Sequence, residues 1–179
     1  MPRSRKALAL AAGTLSVLCL PTAAGAEPDS HVSRLHGSAL VLFPPSPDDV
    51  VRFTVDAYAR HDDPGPYPTA SWGTAHLRHY FAGHDQEIWY SIRVDCLMAS
   101  GGQATVTGEV VDASPGGEKL LHTRIGFSVA ERGRRDLVGF TGGASPYPED
   151  AKELRMCTAP PPFFTTRDGG YSVSGAMHW

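Results

Sequence analysis

Segment 127–140, FSVAERGRRDLVGF, carries the densest group of charges in the chain and lies between two apolar runs. Arg132, Arg134 and Arg135 are candidate binding residues, because a guanidinium group can form paired hydrogen bonds with a carboxylate or a phosphate. A cell-wall polymer rich in such groups is one ligand of this kind. The alternative is a solvated hairpin turn, in which Gly133 supplies the positive φ angle and exposed ion pairs contribute little. The sequence favours the turn and leaves the anion site open.

Two tryptophans lie in predicted strands and are candidates for a carbohydrate site. Trp72 begins one strand, and Trp89 lies on the polar face of another, with Arg93 four residues further on. The C–H faces of sugar rings stack on exposed indole rings of this kind, because the indole is large, apolar and rigid. The alternative is ordinary cross-strand packing beneath a loop. The sequence favours packing, and we retain Trp72 and Trp89 as candidate binding residues.

No arrangement of residues in the sequence predicts catalysis. The chain has no G-x-S-x-G nucleophile motif, and its 19 acidic residues supply too many carboxylate pairs for their number to indicate a glycosidase. His76 and His79 would point to opposite faces of a strand and therefore cannot hold one metal ion. His79 with His84, and the acidic loop that begins at His61, are open alternatives. We expect no catalytic residues, no cofactor and no metal.

The first 26 residues have the composition of a secretory signal peptide. Three basic residues precede an apolar run over 7–20, and Ala24, Gly25 and Ala26 form an A-x-A cleavage site. The apolar run is too short to cross a membrane as a helix. We therefore expect cleavage after Ala26, secretion to the extracellular space, and no transmembrane segment in the mature form.

The chain from Glu27 onward would be acidic. Removing three of the 16 basic residues and none of the 19 acidic ones leaves 13 against 19, a net charge of −6. A chain with this charge and no basic face is unsuited to nucleic-acid binding, which depends on contacts with phosphates. The expected partners are a cell-wall polymer or an extracellular protein.

Cys96 and Cys157 are the two cysteines that would remain after cleavage. Outside the cell thiols tend to pair, and two cysteines allow one connectivity. A redox role would call for C-x-x-C spacing, which is absent, and neither cysteine has a recognisable catalytic context. We therefore expect a structural disulfide, which stabilises the fold by about 4 kcal/mol because it closes a long loop.

Short runs of alternating apolar and polar residues predict seven or eight antiparallel strands. The clearest is 87–100, where alternate residues from Ile88 to Cys96 share one face. The other strand candidates are 36–43, 50–59, 72–81, 103–113, 120–130, 136–140 and 169–175. A helical turn is expected within 148–155. After a flexible lead over 27–35, a single β-domain over 36–179 should form an antiparallel β-sandwich or a small barrel.

Three segments resemble a known group of extracellular domains. They are RVDCLMASGGQATVTGEVVDA, GFSVAERGRRDLVGF and GGYSV, with Cys157 between the last two. They resemble secreted actinobacterial proteins labelled "repetin" and are similar to post-COAP-like extracellular β-domains. The positions that match that pattern are Cys96, Gly101 or Gly102, Ala104, Gly108, Phe127, Val129 and Gly133. Ala130 and Glu131 depart from it. The resemblance implies a secreted β-domain and supplies no catalytic residue.

These features predict a secreted, non-enzymatic β-domain that binds a carbohydrate or an anionic polymer in the extracellular space or the cell wall. The alternative is a secreted hydrolase whose site the sequence does not reveal. The two functions make different demands on the structure. A binding domain should show Trp72 or Trp89 on an open face, whereas an enzyme should show a pocket with converging titratable groups.

Overall fold

The computed structural model describes residues 32–62, 65, 67–141 and 154–175. Its eight antiparallel strands follow one another in chain order and close into a barrel, in which the last strand pairs with the first. The elements are β1 (Val32–Val41), β2 (Val50–Arg60), β3 (Ala70–Phe81), β4 (Gln86–Ser100), β5 (Gln103–Ala113), a 3-10 turn (Glu118–Leu120), β6 (Arg124–Ala130), β7 (Leu137–Phe140) and β8 (Phe164–Ser174). The predicted all-β class is confirmed, in its barrel form. No helix among the described residues is long and apolar enough to cross a membrane.

The ends of the barrel differ from the sequence-based boundaries. β1 begins at Val32, so residues 32–35 belong to the barrel rather than to a flexible lead. β8 begins at Phe164 rather than at Gly169. A register shift against β1 interrupts the alternation of apolar and polar residues in β8, and for this reason the sequence pattern did not predict the first half of the strand. The predicted signal peptide lies outside the described residues. So does most of the predicted helical turn at 148–155, whose two described residues are not helical.

Aromatic side chains fill the barrel interior. Phe53 stacks on Phe127 with ring centroids 3.7 Å apart, and Tyr171 packs edge-on against Phe127 at 5.5 Å. A void lined by both phenylalanines measures only about 10 Å³, which is at the lower limit for a single water molecule. This part of the interior is therefore a packed core, and a ligand has no room there.

A β-bulge in β4 changes the predicted orientation of Cys96. The register shifts between Val94 and Cys96, so that Cys96 lies opposite Thr107 and Leu97 takes the interior position. The prediction that Cys96 shares a face with Val94 is wrong, because the extra residue Asp95 offsets the alternation by one position. The outward orientation brings Cys96 to Cys157, and the predicted disulfide is present, with the two Cα atoms 5.3 Å apart.

Residues 154–163, which we call the strap, cross the outer faces of β6 and β7. Gly126 on β6 and Gly139 on β7 lie directly beneath it. A Cβ atom on Gly126 would lie 2.5 Å from the Thr158 carbonyl oxygen, and one on Gly139 would collide with the Pro161 carbonyl oxygen. Because only glycine permits this approach, the sequence of β6 and β7 is adapted to the strap, and the disulfide holds the strap against the barrel.

Candidate binding surface

Outward side chains of β1, β2 and β3 form a line that we call the aromatic row: Arg34, Tyr58 and Trp72. In the sheet register Trp72 lies opposite Tyr58, and Tyr58 lies opposite Arg34. The rings of Trp72 and Tyr58 are nearly parallel, at 9° with centroids 5.7 Å apart, and the Arg34 guanidinium lies 5.1 Å from the Tyr58 centroid. Trp72 is 44% exposed. The row therefore presents apolar rings and a cation on an open face.

Asp56 fixes one side of the aromatic row. Its carboxylate accepts hydrogen bonds from Arg34 at 3.3 Å and from the Tyr58 hydroxyl at 3.4 Å, and His36 Nδ1 lies 3.3 Å from it. Burial raises the pKa of Asp56, but the hydrogen bonds from Tyr58, His36 and Arg34 outweigh burial, and its pKa is lowered overall. Asp56 is therefore ionised at neutral pH and orients Arg34 and Tyr58.

Trp89 lies apart from this row. It pairs with Arg78, six residues along β3 from Trp72, which is a separation of roughly 20 Å at the usual rise of a strand. Arg78 is itself bound to both carboxylate oxygens of Glu87 at 2.7 and 2.8 Å. Trp89 is partly buried, and its backbone N–H donates to the Ser114 hydroxyl at 3.0 Å. The two tryptophans therefore do not form one site.

An open cleft of about 570 Å³ adjoins the aromatic row. It lies between the β6–β7 connection, residues 131–136, and the glycines at 169–170 of β8. These glycines have no side chains to fill the space, and Arg134 and His36 are among the lining residues. His36 also contacts Asp56, which lies beside the aromatic row. The cleft and the row are therefore neighbouring parts of one outer surface.

Of the three candidate arginines, Arg134 lines the cleft and Arg132 and Arg135 do not. All three side chains are exposed. Among the described residues none of them forms an ion pair. Gly133 has a φ of +79°, so glycine occupies a left-handed position in the hairpin connection, which spans residues 131–136 and is longer than a tight turn. The anion site stays a prediction.

Two acidic residues of this connection have a role that the sequence did not reveal. β7 has four residues and β8 has eleven, so β8 continues past the end of its neighbour. There Asp136 accepts the backbone N–H of Tyr171 at 2.8 Å and that of Arg132 at 3.1 Å, and Glu131 accepts the N–H of Val173 at 2.7 Å. The two carboxylates replace the hydrogen bonds of a missing strand, and only the unequal strand lengths could have indicated this.

A buried imidazole–carboxylate pair lies at the opposite end of the barrel. His79 Nε2 is 2.8 Å from Asp49 Oδ2, and the side chains are 4% and 10% exposed. The second Asp49 oxygen accepts the Ala82 N–H at 3.0 Å. Burial raises the pKa of Asp49, but the hydrogen bonds from His79 and Ala82 outweigh it, and the pKa is lowered overall.

Within the described residues, no nucleophile completes this pair as a hydrolase site. His79 Nδ1 is buried without a hydrogen-bond partner, so no described hydroxyl or thiol is placed for activation by this imidazole. The contacts instead fasten the β1–β2 connection to the end of β3. His76 points outward, to the Ser91 hydroxyl at 3.2 Å, so it lies on the opposite face from His79, as predicted. Over the described ranges, no three His, Cys, Asp or Glu residues are grouped to hold a metal ion.

No protein-family profile, curated protein or solved structure matches this chain. The geometry itself defines a closed, eight-stranded antiparallel barrel with a packed interior. On its outer surface the aromatic row lies beside a cleft that Arg134 lines.

Proposed function

We propose that this protein is a secreted, non-enzymatic domain that binds a carbohydrate polymer of the extracellular space or the cell wall. The observation that carries the proposal is the aromatic row, in which Trp72 is 44% exposed beside a parallel Tyr58 ring. Aromatic faces bind the C–H faces of sugar rings, and polar groups beside them bind the hydroxyls. Arg34 and Asp56 supply such polar groups at the edge of the row.

Two further features support an outer binding surface in the extracellular space. The core around Phe53 and Phe127 leaves no space for a ligand, so recognition falls to the outside of the barrel. The Cys96–Cys157 disulfide is typical of an oxidising compartment, which agrees with the signal-peptide composition of residues 1–26. The hydrolase alternative has less support, since the Asp49–His79 pair has no described nucleophile beside it.

Replacing Trp72 with alanine is expected to weaken polysaccharide binding about thirtyfold, because truncating an anchoring tryptophan costs about 2 kcal/mol of binding free energy. Affinity electrophoresis and calorimetry with soluble xylan, hydroxyethylcellulose and polygalacturonate would measure the effect. Trp89→Ala is the matched control, because it removes the same side chain from a distant, partly buried position. Wild-type protein that binds none of these polymers, or Trp72→Ala protein that binds as well as wild type, would contradict the proposal.

A further inference from the structure

Five arginines of this barrel are paired with carboxylates, whereas those of the β6–β7 connection, like Arg52, Arg155 and Arg167, form no ion pair among the described residues. The paired residues are Arg34, Arg60, Arg78, Arg93 and Arg124, each within 4.0 Å of an Asp or Glu oxygen. Arg132, Arg134 and Arg135 have no such partner in the described part of the chain, although Glu131 and Asp136 are adjacent in sequence. The guanidinium group of Arg134 is therefore available to a ligand in the cleft.

The two acidic residues of the connection repel a bound anion less strongly than two free carboxylates would. Asp136 and Glu131 direct their oxygens to the backbone N–H groups of Tyr171 and Val173 on β8. The positive end of each N–H dipole points at a carboxylate oxygen and offsets part of its negative charge. These charge-assisted hydrogen bonds also hold the carboxylates against β8. Arg134 is the arginine among the residues that line the cleft, and His36 of β1 lines the same cleft.

The position of the cleft relative to the aromatic row sets the size of the ligand. Trp72 lies on β3 and the cleft glycines lie on β8, three strands away across β2 and β1. This is roughly 14 Å across the strands, and because Gly170 lies opposite Ser38 rather than Arg34, a further offset of roughly 13 Å runs along them. A single sugar could not reach both places, whereas one polymer chain lying across β1 could contact Trp72 and the cleft together.

Resting on the proposed function, we infer that the cleft is a subsite for an oxyanion carried by the same polymer, so that the ligand is an acidic polysaccharide. Its sugar rings would stack on the aromatic row, and a carboxylate or phosphate group would accept hydrogen bonds from Arg134. A guanidinium fork suits either oxyanion.

The test compares polygalacturonate with its fully methyl-esterified form, which keeps the sugar backbone and removes the charge. Wild-type protein is expected to bind the acid form about tenfold more tightly, the ratio expected when one charged hydrogen bond is lost. Arg134→Gln should abolish most of this preference, whereas Arg135→Gln, which changes an exposed arginine outside the cleft, should retain it. A poly(glycerol phosphate) arm distinguishes the source of the oxyanion, because tighter binding of this polymer assigns the subsite to phosphate.

Equal binding of the acid and ester forms would overturn the subsite while leaving the carbohydrate function intact. Equal effects of Arg134→Gln and Arg135→Gln would also overturn it, because they would indicate general electrostatic attraction rather than a defined contact. Failure of the proposed function is distinguishable from both results, since Trp72→Ala would then leave binding of the acid and ester forms unchanged.

Discussion

Replacing both Cys96 and Cys157 with alanine is expected to lower the free energy of unfolding by about 4 kcal/mol, the loop-entropy value for a bridge of this span. The disulfide joins residues 61 positions apart and fixes the strap on the outer face of the barrel. Without it, the backbone above Gly126 and Gly139 is held by hydrogen bonds and van der Waals contacts alone. Urea unfolding followed by tryptophan fluorescence measures the difference.

Ser128→Ala provides the matched control for the strap. The Ser128 hydroxyl donates to the Pro160 carbonyl and therefore contributes one hydrogen bond to the same contact. Its removal should cost about 1 kcal/mol, well below the effect of losing the disulfide. If replacing Cys96 and Cys157 lowers the free energy of unfolding by only about 1 kcal/mol, the value of a single hydrogen bond, the disulfide is not the main restraint on the strap.

Asp136→Ala is expected to lower the free energy of unfolding by about 3 kcal/mol, because two backbone N–H groups lose a charged acceptor. Asp136 is 7% exposed, and it bonds the N–H groups of Arg132 and Tyr171. Tyr171 is a core residue whose hydroxyl donates to the Phe53 carbonyl at 2.9 Å. Loosening the Tyr171 backbone would therefore disturb the interior as well as the cleft.

Glu131→Ala separates this effect from a general loss of charge. Glu131 also accepts one β8 N–H group, but its side chain is exposed, so water can replace the lost acceptor. Its replacement should cost about 1 kcal/mol or less. Equal losses from Asp136→Ala and Glu131→Ala, measured by the same urea unfolding, would contradict the view that burial makes Asp136 the principal substitute for the missing strand.

The features of the fold that were predictable from sequence are those with a local cause. Alternation along 50–59 and 87–100 identifies β2 and β4, because side chains of a strand alternate between its faces. The disulfide followed from the cysteine count. The bulge at Asp95 was not predictable, because it depends on the register against β5. The same limit applies to the closure of the barrel, which is set by pairing between β1 and β8 at the two ends of the domain.

The candidate site was predictable only in part, for the same reason. The sequence indicated that Trp72 and Trp89 lie in strands, but their separation depends on how β3 and β4 are aligned. It also identified the turn at Gly133. That Arg134 lines a cleft depends on the short β7 and on the glycines of β8, which meet only in the folded barrel.

Recognition on the outer surface is tested most directly by NMR titration of the ¹⁵N-labelled protein with oligogalacturonate. We predict shifts of the Trp72 indole N–H and of the amides of Arg134 and Gly170, with the core amides of Phe53 and Phe127 unchanged. Shifts concentrated at the core amides, or the absence of any shift at saturating oligosaccharide, would contradict a binding surface formed by the aromatic row and the cleft.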